Sequence, residues 1–398
     1  MNSLVNLATS SAVSKQLKKL PGSLDAIYDE AMKRITCQVK GEDMDEDTEG
    51  IASKKKEDAS IAKKVLSWLS YARRPLSLAE IQHAIAVEPT TTSLSKRDFI
   101  PEDILISVCA GIVIVEKESN IIQLVHHTAH EYFLKKRTVH FPDAERDIAN
   151  ACLTYLSFDS LTDQHPKTVD DVNPLLEENA LLDYAAWNWA DHAREVSDSV
   201  MEAALKFLED TSRTSLCFLV IKARLFRILD LSQIHSDDGS GLHLCARFGM
   251  DRMLARMLES KPKVDVKDSN GRTPLWIAAE RGKVAVAELL ISNDAAVDAE
   301  DQWGQTPLSR AAEKGYEAMV RLLVEHGAAV NPEEDPHLYK TPLWIAAENG
   351  YENVVEYLHS KGASVDVVYG GETPLGVATT NGNEAVVKLL LGYGATMG

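Results

Sequence analysis

The chain has 398 residues, 45% hydrophobic and 26% charged, with 42 Lys and Arg against 60 Asp and Glu for a net charge of −18. That length predicts two or three domains, and the acidic excess argues against nucleic acid or an anionic membrane surface as a partner. No apolar run approaches the roughly 20 residues of a membrane helix. The opening MNSLVNLATSSAVSKQLKKL has no signal-peptide pattern, and the five scattered cysteines suit a reducing compartment, so we expect a cytoplasmic protein.

In chain order, Leu20 to Ile35 is expected as a helix, with Leu24, Ile27, Tyr28, Ala31 and Ile35 on one stripe. Six acids then fall between Glu42 and Glu49, and three lysines at Lys54 to Lys56. So polar a run reads as a solvated, disordered loop, and three lysines leave nuclear targeting as a minor alternative. We therefore set a first segment at 1–58.

From Ala59 the pattern changes. One helix runs through Val65, Trp68 and Leu69. A second starts at Ser77, with Glu80 in the capping-box position. A third is expected from Glu102 to Cys109, followed by strands at Ile112–Glu116 and Ile121–His126 about a turn at Glu118–Asn120. Three helices and a two-stranded wing predict a winged-helix module over 59–140. Residues 141–232 follow as a helical connector, with Tyr184, Trp187 and Trp189 as its expected core.

The last segment, 233–398, repeats itself. Thr-Pro-Leu begins at Thr273, Thr306, Thr341 and Thr373, at spacings of 33, 35 and 32 residues. Stepping back 33 from Leu275 reaches Leu242 and a fifth, degenerate unit in which Ser240-Gly241 replaces Thr-Pro. Each unit predicts two short helices. Thr caps the first, with Pro at its first turn, and Gly327, Gly362 and Gly394 close the second. A single unit cannot bury its own apolar face, so the units must stack.

This repeat resembles the ankyrin family over roughly Gln233 to Gly398. The fourth unit departs from it, opening with PEEDPHLYKTPL and Tyr339 where the family prefers Gly. The resemblance implies a rigid concave surface that binds another protein. Its variable contact positions correspond here to Ser269, Asn270, Arg272, Glu280 and Arg281, then Gln302, Trp303, Gln305, Glu313 and Lys314. They continue through His337, Leu338, Lys340, Glu348 and Asn349 to Tyr369, Glu372, Thr380 and Asn381. Trp303, Leu338 and Tyr369 read as anchors or as hairpin packing. Trp276 and Trp344, in a slot where the family often has His, read as packing between repeats.

A second resemblance covers roughly Leu20 to Leu156. LPGSLDAIYDEAMKRI, WLSYARRPLSLAEIQHAIAV and GIVIVEKESNIIQLVHHTAHEYFL are similar to the winged-helix region after the NACHT switch domain in fungal NLR-like, ankyrin-ended proteins. That module also carries a GPI inositol-deacylase label. LLDYAAWNWADHAR (Leu181–Arg194) resembles their helical connector. In those relatives the histidine matching His126 lies near a nucleotide, a role that would need a separate NACHT-containing partner chain here.

We find no catalytic motif. No GxxxxGK[ST] loop occurs, so no nucleotide domain is expected and no cofactor is implied. No GxSxG elbow supplies an esterase nucleophile. His126, His127 and His130 lack the second histidine of HExxH, because residue 134 is Leu134. The third helix carries two acids and no base, against DNA binding. The fold class expected is all-α dominated: a winged-helix module and helical connector followed by an ankyrin-repeat α-solenoid. The function expected is a non-catalytic protein-interaction scaffold, or else a regulatory fragment of a NACHT-type signal-transduction NTPase.

Overall fold

The computed structural model describes residues 24–37, 46–163, 166–194, 198–229, 239–331 and 340–397. Its contacts divide it into two units, residues 1–158 with 177–192, and residues 159–176 with 193–398.

The first unit opens with α1 (Leu24–Cys37) and α2 (Glu46–Tyr71). The loop expected up to residue 58 is therefore helical from Glu46 onward. The later turns of the helix bury Ala59, Ala62, Val65 and Leu66, and tertiary packing of such a face carries a helix beyond what its polar start suggests. Residues 38–45 lie outside the described residues. Strand β1 (Leu76–Ser77) leads into α3 (Leu78–Ala86), and Ser77 and Glu80 form the expected capping box. Then come α4 (Glu102–Val108), β2 (Val113–Glu116) and β3 (Ile121–Leu124). The sheet is antiparallel in the order β1-β3-β2, so the wing gains a short third strand, with Leu76 opposite Ile122. Helix α5 (His127–His140) follows. Leu66, Ile81, Leu105, Ile122 and Phe133 are fully buried and form the core. Helix α1 docks on α5: Tyr132 donates to Asp29 at 2.6 Å, Lys136 pairs with Asp29 at 2.9 Å, and the Tyr28 and Thr128 hydroxyls meet at 2.8 Å.

The expected connector is not one body. Helices α6 (Ala144–Leu156), α7 (Asp159–Thr162), α8 (Val169–Glu178) and α9 (Leu182–Ala193) follow in order. Of these, α6 and nearly all of α9 belong to the first unit, α7 belongs to the second, and α8 crosses the division. Tyr184 and Trp189 are fully buried, while Trp187 is only partly so.

In the second unit, α10 (Asp198–Glu209) and α11 (Thr211–Leu229) precede five helix pairs. The pairs are α12 (Gly241–Phe248) with α13 (Asp251–Leu258), α14 (Pro274–Glu280) with α15 (Val284–Ile291), and α16 (Pro307–Lys314) with α17 (Glu317–Glu325). Then come α18 (Pro342–Asn349) with α19 (Glu352–Ser360), and α20 (Pro374–Thr380) with α21 (Glu384–Gly392). First helices stack on first helices and second on second, so each unit completes its neighbour's core. Paired alanines, among them Ala278-Ala279 and Ala346-Ala347, are fully buried and permit the close approach.

Helices α10 and α11 cover the open end of the first pair. A Cβ at Gly241 would lie 2.2 Å from the Leu208 carbonyl oxygen of α10, which accounts for glycine where the other units have proline. A second tie runs along the hairpin bases. Asp265, Asp298 and Asn331 accept the backbone N–H groups of Ala296, Ala329 and Ser364, each in the next unit, and Asp366 accepts that of Thr396 after the last helix.

Candidate functional site

The repeat face is built by one local device used several times. Thr273, Thr306, Thr341 and Thr373 each accept a backbone N–H three residues on, at 3.2 Å, and so fix where each first helix begins. The residue at that third position then reaches the next unit. His243 Nδ1 accepts the Ser240 N–H and its Nε2–H donates to the Arg272 carbonyl at 3.0 Å. Trp276 Nε1–H donates to the Gln305 carbonyl at 3.0 Å, and Trp344 Nε1–H to the Glu372 carbonyl at 3.1 Å. Both indoles are buried. They are the packing elements between repeats, doing with an indole N–H what His243 does with an imidazole.

The last unit has Gly376 at that position, and within the array the third unit breaks the series. Ser309 stands at that position, and its hydroxyl turns back to the Thr306 carbonyl. With no large ring there, the face opens into a groove of about 630 Å³. Its wall includes Glu300, Trp303, Gln305, Ser309, Glu313, Lys340, Ile345, Glu348, Asn349 and Tyr369. Trp303 is 58% exposed, an uncommon state for so large an apolar ring. Tyr369 is half-buried, edge-on to Trp344 with centroids 5.3 Å apart.

The expected contact residues do not all face outward. Trp303, Gln305, Lys340 and Tyr369 line the groove together with Glu313, Glu348 and Asn349. Ser269, Arg281, Gln302, Lys314 and Glu372 are exposed. Asn270 is buried instead, its carbonyl accepting the Gln302 N–H at 2.9 Å, so it supports the next hairpin rather than meeting a ligand. Arg272 is engaged internally, paired with Asp268 at 2.6 Å. His337 and Leu338 lie outside the described residues. Glu300 and Ser309 were not anticipated. The available signal for Ser309 was its smallness at a position held by Trp in two sister units.

Most charges here are already matched. Arg310 bridges Glu280 at 3.2 Å and Glu313, with its guanidinium 4.8 Å from the Trp276 ring centroid. Lys340 pairs with Glu348 at 2.8 Å and lies 4.4 Å from the Trp344 ring centroid. Among the described residues neither Glu300 nor Glu372 makes an ion pair.

In the first unit the chemistry-bearing residues serve structure. His126 caps α5, its Nδ1 accepting the Thr128 N–H. His192 is buried, with Nδ1 against Glu145 and Nε2 at 2.7 Å from the Tyr184 hydroxyl. Burial alone would raise the Glu145 carboxyl; the His192 hydrogen bond and the Arg73 charge outweigh it and hold it below its ordinary value. The enclosed imidazole ties α6 to α9 and presents nothing to a substrate. Cys109 here and Cys245 in the second unit are buried, and burial pushes each thiol up to about 12, far from a reactive thiolate.

Comparison with family models assigns both ends of the chain. Residues 242–335 and 329–398 match a model described as "Ankyrin repeats (3 copies)", on the same helix pairs that carry the groove. The C-terminal array consists of ankyrin repeats. Residues 47–150 match a model described as "GPI inositol-deacylase, winged helix domain", from the start of α2 through the wing into α6. No curated protein sequence matches the chain. The fold is all-α dominated, with an ankyrin solenoid at its C-terminal end. No described helix is long and apolar enough to cross a membrane.

Proposed function

We propose that this protein is a non-catalytic interaction scaffold whose ankyrin face grips a partner protein in the groove at Ser309. The exposed Trp303 at the groove rim carries this reading, because a solvated indole beside a concave surface is what interface anchors share. A preformed surface also avoids an ordering cost on association. The buried thiols of Cys109 and Cys245 fit a reducing compartment and support a cytoplasmic setting. The test is quantitative affinity capture with the wild-type chain and Trp303→Ala. A partner should be retained by the first and lost by the second while both melt alike. Equal retention would count against the groove.

The winged-helix match over 47–150 favours a second reading, in which the chain regulates a separate NACHT-type nucleotide-binding chain, as the family resemblance implies. That reading expects the protein to co-purify with an ATP-binding polypeptide, and to bind no ATP alone by calorimetry.

A further inference from the structure

We infer that the groove takes a basic segment of the partner, with an arginine laid against Trp303 and directed at Glu300; this rests on the scaffold reading above. Three observations point to it. The array is polarised: residues 239–293 carry nine basic and six acidic groups, whereas 294–398 carry six basic and sixteen acidic. The groove lies wholly in the acidic part. Its own cations are consumed, since Arg310 is held by Glu280 and Glu313, and Lys340 by Glu348.

The third hairpin lacks the internal ion pair of the second, and Lys267 reaches it only to donate to the Glu300 backbone carbonyl at 2.9 Å. In the second unit Asp268 is neutralised by Arg272, and the matching pair one repeat later is Asp301 and Gln305. Asp301 is 7% exposed, and its Oδ2 has no hydrogen-bond partner among the described residues. Glu300 beside it is exposed and makes no ion pair there either. A buried carboxylate, an exposed carboxylate and an open indole face therefore meet at one hairpin. A guanidinium answers the two exposed groups directly, stacking on the indole and pairing with Glu300, while the enclosed Asp301 adds only its charge. An acidic peptide would meet repulsion on the same surface.

The full-length chain is titrated, by fluorescence anisotropy, with labelled peptides of equal length alternating leucine with arginine, serine or glutamate. The arginine peptide should bind, weaken as salt rises, and lose roughly tenfold in affinity with Trp303→Ala and less with Glu300→Gln. If the serine or glutamate peptide binds as tightly and is lost with Trp303→Ala, the groove is a peptide site but the basic specificity is wrong. If the arginine peptide binds unchanged to both variants, it sits elsewhere and the inference fails. Failure of all three peptides to bind also overturns it, while the capture experiment above still judges the scaffold reading. Unfolding curves of both variants matching the wild type establish that the surface, not the fold, has been altered.

Discussion

Arg272 and Asp268 close the second hairpin with a 2.6 Å ion pair, while Asp268 Oδ1 also accepts the Asn270 and Arg272 backbone N–H groups. One unit on, Asp301 accepts the Trp303 and Gln305 N–H groups in the same way, but Gln305 leaves its Oδ2 without that partner. Replacing Arg272 by Gln copies this defect into the second unit. Arg272→Gln should destabilise the protein by about 1–3 kcal/mol, the cost of a buried acceptor left unmatched, read by chemical denaturation. No change in midpoint would mean that solvent reaches Asp268 more easily than its 7% exposure implies.

Two tryptophans in adjacent repeats should respond in opposite ways. Trp344 is 3% exposed and donates to the next unit, so Trp344→Ala should cost about 3–5 kcal/mol. Trp303 is on the surface, so Trp303→Ala should move stability by no more than about 0.5 kcal/mol. Thermal melts of the two variants side by side test the division between packing and contact residues.

The α10–α12 approach makes Gly241 sensitive to one methyl group. Gly241→Ala forces a Cβ against the Leu208 backbone and should destabilise the array by about 1–3 kcal/mol. Hydrogen exchange should show the loosening first in α10 to α13. Uniform protection there would remove α10 from its role as the end cover of the stack.

The first unit should weaken in mild acid. His83 stacks on Phe99 with centroids 4.3 Å apart, its Nδ1 is 2.7 Å from the Tyr155 hydroxyl, and burial lowers its pKa. The unfolded chain therefore takes up a proton on His83 at higher pH than the folded one. The stability this neutral histidine supports is present above about pH 6.5 and is lost as pH falls toward the lowered folded value, by up to about 1.4 kcal/mol per unit. His140, lowered chiefly by burial, adds to the same trend. Melting temperature should fall through this range, and His83→Gln should flatten the fall; an unchanged slope would assign the effect elsewhere.

The amino-acid sequence alone determined the repeat, its caps, the Ser77–Glu80 capping box and the wing hairpin. These depend on short-range chemistry: a hydroxyl three residues from an N–H, a proline at a first turn, an apolar stripe at helical spacing. It also marked Trp276 and Trp344 as packing, but left Trp303 open between anchor and hairpin packing until the structure showed it 58% exposed. Only the tertiary structure decided that Asn270 is buried, that α10 covers the first repeat, that the connector is divided, and that His192 is enclosed between Glu145 and Tyr184. It also placed the groove, which exists because a serine sits where neighbouring units insert a ring. Each of these depends on groups brought together from distant parts of the chain, and periodicity along a single helix carries no record of what that helix will meet.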